Sequence, residues 1–214
     1  MRVNGQLRDH LDAFAALAAD LSRRPTHLAE IVPEEPAVVG TVDAAKAGMG
    51  GVFFDAAGDA YVWRQPFSPE VQARMNRPEA HPYAVTNSDL EQAGIAAHLE
   101  VITEPGHLAY ATVHTFCDNT PAVSRFDKGA VSVGGPAAYL CRGASEHQRR
   151  FRYCSVVSYL PGEANVMADD ASRLQHLTDV AFLAHFEQHY PQPRPWRLRR
   201  LTPQTNSRIH SRLL

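Results

Sequence analysis

The sequence predicts an α/β domain: one mixed sheet of five strands, flanked by helices, with elements in the order β-β-β-α-β-α-β-α. Three observations carry this reading. Three short runs rich in β-branched and aromatic residues come first, joined by tight turns. Two further apolar runs then alternate with segments of helical periodicity. The hydrophobic share, 44% of 214 residues, is ordinary for a soluble fold with a real core. Strands that meander and then alternate with helices imply a mixed sheet covered by helices.

From the N-terminus, Leu7, Leu11, Phe14, Leu17 and Leu21 recur at helical spacing until Arg23, Arg24 and Pro25 end the pattern. Pro33-Glu34-Glu35-Pro36 is a short stiff connector. Residues 1–36 are thus read as a helix and connector, 37–175 as the main domain, and 176–214 as a C-terminal helix and basic tail. The main domain opens with a β-branched strand, Ala37 to Asp43. Gly48, Gly50 and Gly51 bracket a turn into Val52-Phe53-Phe54, and Asp55 to Gly58 turns into Ala60 to Trp63, an antiparallel meander. After a Pro- and Glu-rich stretch to about Val85, Thr86-Asn87-Ser88 offers helix caps, and Leu90, Ala93, Ala97 and Val101 line one helical face. Gly106 precedes an apolar run from Leu108 to Cys117 that is bounded like a buried strand. Asp118-Asn119-Thr120-Pro121 is a strand-to-helix corner. A helix near Ala137 to Arg149, a strand from Tyr153 to Leu160, a loop from Pro161 to Asn165 and a helix from Val166 to Leu174 complete the domain. Another helix spans Asp179 to Tyr190.

Lys and Arg number 21 against 23 Asp and Glu, so bulk charge does not point to nucleic acid and any such argument rests on local patches. Cys117, Cys141 and Cys154 are odd in number and widely spaced. This argues against a disulfide framework or a cysteine zinc site and fits a reducing, intracellular compartment. No apolar run approaches the ~20 residues that span a bilayer, and no export signal is found.

Four acids stand where an acid needs explaining. Asp43 ends a strand whose neighbours favour burial, where an unpaired carboxylate is costly; the alternative is a turn-initiating Asp. Glu91 opens a helix, although Ser88-x-x-Glu91 also matches a capping box. Asp118 stands at the carboxyl end of a buried strand, where open α/β sheets place their sites, although it or Asn119 can simply cap the next helix. Asp169 and Asp170 lie early in the last core helix and point about 100° apart, so only one can join the others; both can also complement the helix dipole. Several acids from different elements are what two divalent ions need to clamp a phosphodiester.

The segments carrying these acids, taken in order, resemble the ribonuclease H domain of retroelement reverse transcriptases of the LTR/gypsy-like or DIRS-like kind. They are Thr41-Val42-Asp43-Ala44 with Gly48 to Val52, Leu90-Glu91-Gln92-Ala93, Cys117 to Val123 with Lys128-Gly129, and Pro161 to Arg173. The last looks like the family's glycine-x-x-asparagine followed by alanine-aspartate-x-x-serine-arginine. It assigns the fourth metal carboxylate to Asp169, with Asp170 as a variable neighbour. The resemblance implies a ribonuclease H-like fold and an endonuclease that cuts the RNA strand of RNA–DNA hybrids, leaving a 3′-hydroxyl and a 5′-phosphate. It implies two Mg²⁺ ions, for which Mn²⁺ can substitute, with Asp43 and Asp118 shared, Glu91 on one ion and Asp169 on the other. Asn119, Lys128, Arg149, Arg150 and Arg152 are the candidate nucleic-acid contacts. Polymerase and integrase or recombinase domains would be companions in a polyprotein.

Two departures stand out. No histidine lies between Tyr153 and Asp169, where cellular members of the family carry one thought to assist product release, and no clear basic protrusion is visible. Rival readings are a catalytically silent tether or hybrid-binding platform, and another two-metal nuclease of the wider fold. Against an exonuclease, Ala45 occupies the place of an expected second acid; against an integrase, the set closes with Asp169 rather than Glu. His185 and His189 have a zinc-compatible spacing but no evident third ligand. The tail arginines, Arg194, Arg197, Arg199, Arg200, Arg208 and Arg212, read equally as a phosphate-binding arm or a basic linker. Trp63 is expected in the core and Trp196 as an anchor of the tail.

Overall fold

The structure is a computed structural model that describes residues 5–77, 81, 84–103, 108–129 and 135–214. Its sheet has six strands: β1 (Pro36–Ala45), β2 (Gly48–Asp55), β3 (Ala60–Pro66), β4 (Thr112–Cys117), β5 (Cys154–Tyr159) and β6 (Arg197–Arg199), in spatial order β5-β4-β1-β2-β3-β6. β1, β2 and β3 pair antiparallel, whereas β4 runs parallel to β1 and to β5. This is the mixed α/β sheet with flanking helices expected from the order of elements, with one strand more than the five expected. The addition comes from the tail, where Tyr61, Val62 and Trp63 pair with Arg197, Leu198 and Arg199 in parallel.

The helices are α1 (Gly5–Arg23), α2 (Pro69–Met75), α3 (Asn87–Thr103), α4 (Thr120–Lys128), α5 (Pro136–Phe151), α6 (Val166–Arg173), α7 (Asp179–His189) and α8 (Pro203–Leu213). Three of these correct the expected sequence of elements, among them α8, which folds where only a basic tail was expected. α2 interrupts the Pro- and Glu-rich stretch, with Ser68 capping its first turn by accepting from Val71 N. The corner after β4 opens a complete helix, α4, ahead of α5. The expected turn at Gly48, Gly50 and Gly51 is instead the first half of β2, and the hairpin turns at Lys46-Ala47. β4 begins at Thr112 rather than Leu108, and Gly106 lies outside the described residues.

Strand alternation sorts the side chains into two cores. Met49 and Phe53 of β2 join Val42, Trp63, Leu90, Ala97, Leu140 and Ile209 on the face covered by α3, with α5 and α8 behind it. Val52, Ala60 and Val62 join Phe182, Phe186 and Trp196 on the opposite face, covered by α6 and α7. α3 lies between the sheet and two further helices, so 14 of its 17 residues are buried, well beyond a single apolar stripe. Two of its buried side chains find partners: Gln92 Nε2 donates to Ala137 O at 2.9 Å, and His98 Nδ1 accepts from Trp63 Nε1 at 2.9 Å.

Both ends of the chain are tied to this body by ion pairs. Glu30, buried in the 3₁₀ turn Leu28–Glu30, accepts from Arg152 at 2.6 Å and Arg149 at 3.2 Å, while Arg149 also reaches Asp20 at 2.7 Å. Asp59 takes Arg194 and Arg197 at 2.7 and 2.8 Å. Arg200 pairs with Asp179, and Arg208 with Glu100. Trp196 is buried and donates to Tyr190 O at 2.7 Å, which fastens the tail to α7. All three cysteines are buried free thiols. Among the described residues no helix is long and apolar enough to cross a membrane.

Candidate active site

β1 and β4 are parallel neighbours with Val42 opposite Cys117, so Asp43 and Asp118 leave the sheet side by side at its carboxyl edge. Asp43 is no turn residue. It lies within β1 opposite Gly50, is 6% exposed, and accepts from Ser172 Oγ of α6. Burial pushes its carboxyl above the usual range, and the charges of Asp118 and Asp169 push the same way against the Ser172 bond and Arg173.

The capping that competes for Glu91 and Asp118 is done by their neighbours. Thr86 and Asp89 form the box at the start of α3: Asp89 Oδ2 accepts from Thr86 N at 2.9 Å, and Asp89 N donates to Thr86 Oγ1 at 3.3 Å. Glu91 is thereby released to the interior, 2% exposed, with Cys117 Sγ 3.8 Å from Oε2. Its carboxyl is pushed up to about 9 by burial first, then by Asp43 and Asp118. Asn119 caps α4 by accepting from Ala122 N at 3.0 Å. Asp118 is left half-buried, its carboxyl raised by burial and by the charge of Asp169.

The loop before α6 closes the site. Asn165, 2% exposed, donates from Nδ2 to Val42 O at 2.8 Å and so pins the start of α6 to the end of β1. A side chain at Gly162 would place its Cβ 3.0 Å from Asp118 Oδ2, so the carboxylate would have to give by a few tenths of an ångström to admit it. One turn into α6 the two aspartates part. Asp170 faces α7, accepting from Tyr190 OH at 2.9 Å and meeting His185 Nε2 at 2.7 Å. Asp169 faces Asp43 and Asp118 closely enough for their charges to couple, and accepts from Arg173 Nε at 2.6 Å.

Ligand atoms of Glu91, Cys117 and Asp118 all lie within 4.8 Å of one another. Burial and the Glu91 charge raise the Cys117 thiol above its ordinary range, which keeps it protonated beside the acids. The donors are therefore carboxylate oxygens, the set that Mg²⁺ and Mn²⁺ prefer. Asp43, Glu91 and Asp118 hold protons more tightly than usual, first because they are buried and then because the acids repel one another, a repulsion that a divalent ion relieves. Ser172 and Asn165 were visible in sequence only as letters of a motif; their work shows in the contacts to Asp43 and Val42.

The raised Glu91 carboxyl gives the metal-free protein a pH signature. The folded state keeps a proton up to about 9 that the unfolded chain releases in the usual glutamate range. The associated stability is full at low pH and is lost as pH rises towards 9. Thermal melting in chelator should therefore fall between about pH 7 and 9. Glu91→Gln should flatten that decline; an unchanged slope would refute the assignment.

Of the candidate nucleic-acid contacts, Asn119 adjoins Asp118 but is occupied by its cap, and Arg149 and Arg152 are held by Asp20 and Glu30. Lys128 and Arg150 are exposed, the latter with its guanidinium 5.2 Å from the Phe151 ring. His185 and His189 stack at 4.1 Å, with His185 held on Asp170.

No family model and no curated protein matches the sequence. Among solved structures the chain is similar to an RNase H1 from the halophilic archaeon Halobacterium salinarum NRC-1, at 15% identity and TM-score 0.42, over 63% of this chain and 92% of that one. It is also similar to LC11-RNase H1, isolated from compost, at 19% identity and TM-score 0.45 over 64% and 92%. A further similarity is to LC11-RNase H1 in complex with RNA/DNA hybrid, at 19% identity and TM-score 0.44 over 63% and 92%.

Proposed function

We propose that this protein is a divalent-metal-dependent endonuclease that hydrolyses the RNA strand of RNA–DNA hybrids, as the ribonuclease H part of a reverse transcriptase. The observation that carries the reading is the convergence of Asp43, Glu91 and Asp118, all with raised carboxyls, at the carboxyl edge of β1 and β4. A binding platform gains nothing from collecting negative charge where phosphates must approach. The order of the segments bearing these acids supports the choice of substrate and of Asp169 as fourth member. Companion polymerase and integrase or recombinase domains belong to the same proposal.

Asp43 and Asp118 would hold both of two Mg²⁺ ions, with Glu91 on one and Asp169 on the other; Mn²⁺ would substitute. Such ions, when bound, activate the attacking water and offset charge on the attacking and leaving oxygens. The chain's own groups prepare the place. Ser172 occupies Asp43 Oδ2 and thereby fixes the direction of Oδ1. Asn165 holds α6, and hence Asp169, against the end of β1. Glu91 would have to release its proton to solvent to serve as a ligand. Hybrid would be met through shape, backbone and 2′-hydroxyl contacts, with little sequence preference.

The test is incubation of the protein with labelled hybrid and Mg²⁺, beside duplex DNA and duplex RNA. Cleavage confined to the RNA strand of the hybrid, dependent on Mg²⁺, is expected. Hybrid binding without cleavage would leave the silent platform, and preferential cutting of DNA would favour another nuclease of the wider fold.

A further inference from the structure

Among the four acids, one carries a cation of its own. Arg173, at the last position of α6, donates from Nε to Asp169 Oδ1 at 2.6 Å. Its side chain is 64% exposed and that of Asp169 is 40% exposed, so the pair sits at the mouth of the cluster rather than in its floor. The same guanidinium acts electrostatically on Asp43 and Asp118 as well. Among the described residues its Nη1 and Nη2 have no hydrogen-bond partner. An exposed i,i+4 pair of this kind contributes little to stability, so folding alone does not explain a cation at this point. The position matters more: a mobile fork of donors stands beside acids that would otherwise repel any phosphate.

We propose that Arg173 binds a phosphate of the nucleic-acid backbone, and that Asp169 holds it away from that ligand until a divalent cation takes up the charge of Asp169. The inference rests on the nuclease reading above. Without a divalent ion, Asp169 is the nearest anion and the guanidinium stays on it. With an ion on the acids, the attraction of Asp169 for Arg173 is offset by the ion's positive charge. A phosphate then becomes the better partner, because guanidinium matches its geometry with two parallel hydrogen bonds. Nucleic acid would thus be gripped at the mouth only after the site is loaded. Arg173 would stand in for part of the ion's charge until then.

The test uses Arg173→Gln and Arg173→Lys in the whole chain, with folding checked by melting temperature. Hybrid binding is measured over a range of salt, once in chelator and once in Ca²⁺, which binds carboxylates and serves here as the probe ion. Each phosphate contact contributes about one unit or slightly less to the slope of log K against log salt. In Ca²⁺ the wild type should exceed Arg173→Gln by about that one unit, with Arg173→Lys in between or equal to the wild type. In chelator the wild type and Arg173→Gln should share one slope. Separately, Mn²⁺ titration of the free protein followed by electron spin resonance should show Arg173→Gln binding roughly two- to fivefold tighter, the size expected when one exposed charge contact is removed. Equal slopes in Ca²⁺, or a difference that is as large in chelator, would overturn the proposal while leaving the nuclease reading intact. A wild type without salt-dependent affinity for hybrid in either condition would overturn both.

Discussion

Replacing Asp118 by Asn is expected to lower Mg²⁺-dependent cleavage of the RNA strand by about 10³-fold or more, on the order of 4 kcal/mol in the barrier, while the fold survives. Asp118 donates nothing to the scaffold: the cap of α4 belongs to Asn119, and the carboxyl is raised by burial and by the charge of Asp169. Removing its charge relieves a repulsion, so the variant's melting temperature in chelator should equal or exceed that of the wild type. A site shaped for function at a cost in stability behaves this way. The variant should also lose most of the Mg²⁺-dependent rise in melting temperature, because an ion that binds only the folded state stabilises it by mass action. The neighbouring aspartates of α6 give an internal control. Asp169→Asn should be inactive. Asp170→Asn should cleave normally but melt earlier, since it loses the charge that strengthens its bonds to His185 and Tyr190. An active Asp118→Asn enzyme, or inactivation by Asp170→Asn with Asp169→Asn active, would refute the assignment.

The sequence showed where acids stood but not which task each performed, because the competing tasks use the same letters. Ser88-x-x-Glu91 reads as a capping box as readily as Thr86-x-x-Asp89 does, and only the backbone decides that the helix starts two residues earlier. Asp118 and Asn119 are interchangeable caps on paper, and the structure gives the cap to Asn119. Strand and helix order was legible because period-2 and period-3.6 patterns survive burial. The sixth strand was not: Arg197–Arg199 is short, basic and without apolar alternation, and it pairs because Trp196 and Asp59 hold it beside β3. The binding patch read from Arg149, Arg150 and Arg152 faced a different limit. Local composition cannot show that Asp20 and Glu30, more than a hundred residues earlier, meet two of the three.

Gly50→Ala carries the second large effect, and it couples the sheet to the chemistry. Gly50 faces Asp43 across the β1–β2 ladder, and α6 crosses the strand where both side chains would point. A Cβ there would come within 2.5 Å of Ala171 C and 2.7 Å of Ser172 N, which are backbone atoms that no rotamer change can move. The helix must lift, and with it Ser172, bonded to Asp43, and Asp169 one turn earlier. Forced overpacking of this sort costs about 1–3 kcal/mol, or roughly 2–12 °C in melting temperature for a chain of this size. Displacing a catalytic group by about 1 Å costs on the order of 10²-fold in rate, so activity should fall further than stability. Gly94→Ala is the matching control. It lies in α3 with its nearest neighbour 3.7 Å from the added Cβ, an ordinary contact. Alanine in a helix is favoured over glycine by about 0.8–1 kcal/mol, so that variant should melt slightly later and cleave at the wild-type rate. If Gly50→Ala kept full activity, the close approach of α6 to β2 would not be what sets the distance between Asp43 and Asp169. If both variants lost activity equally, the loss would belong to substitution near Asp43 in general and not to the helix that glycine admits.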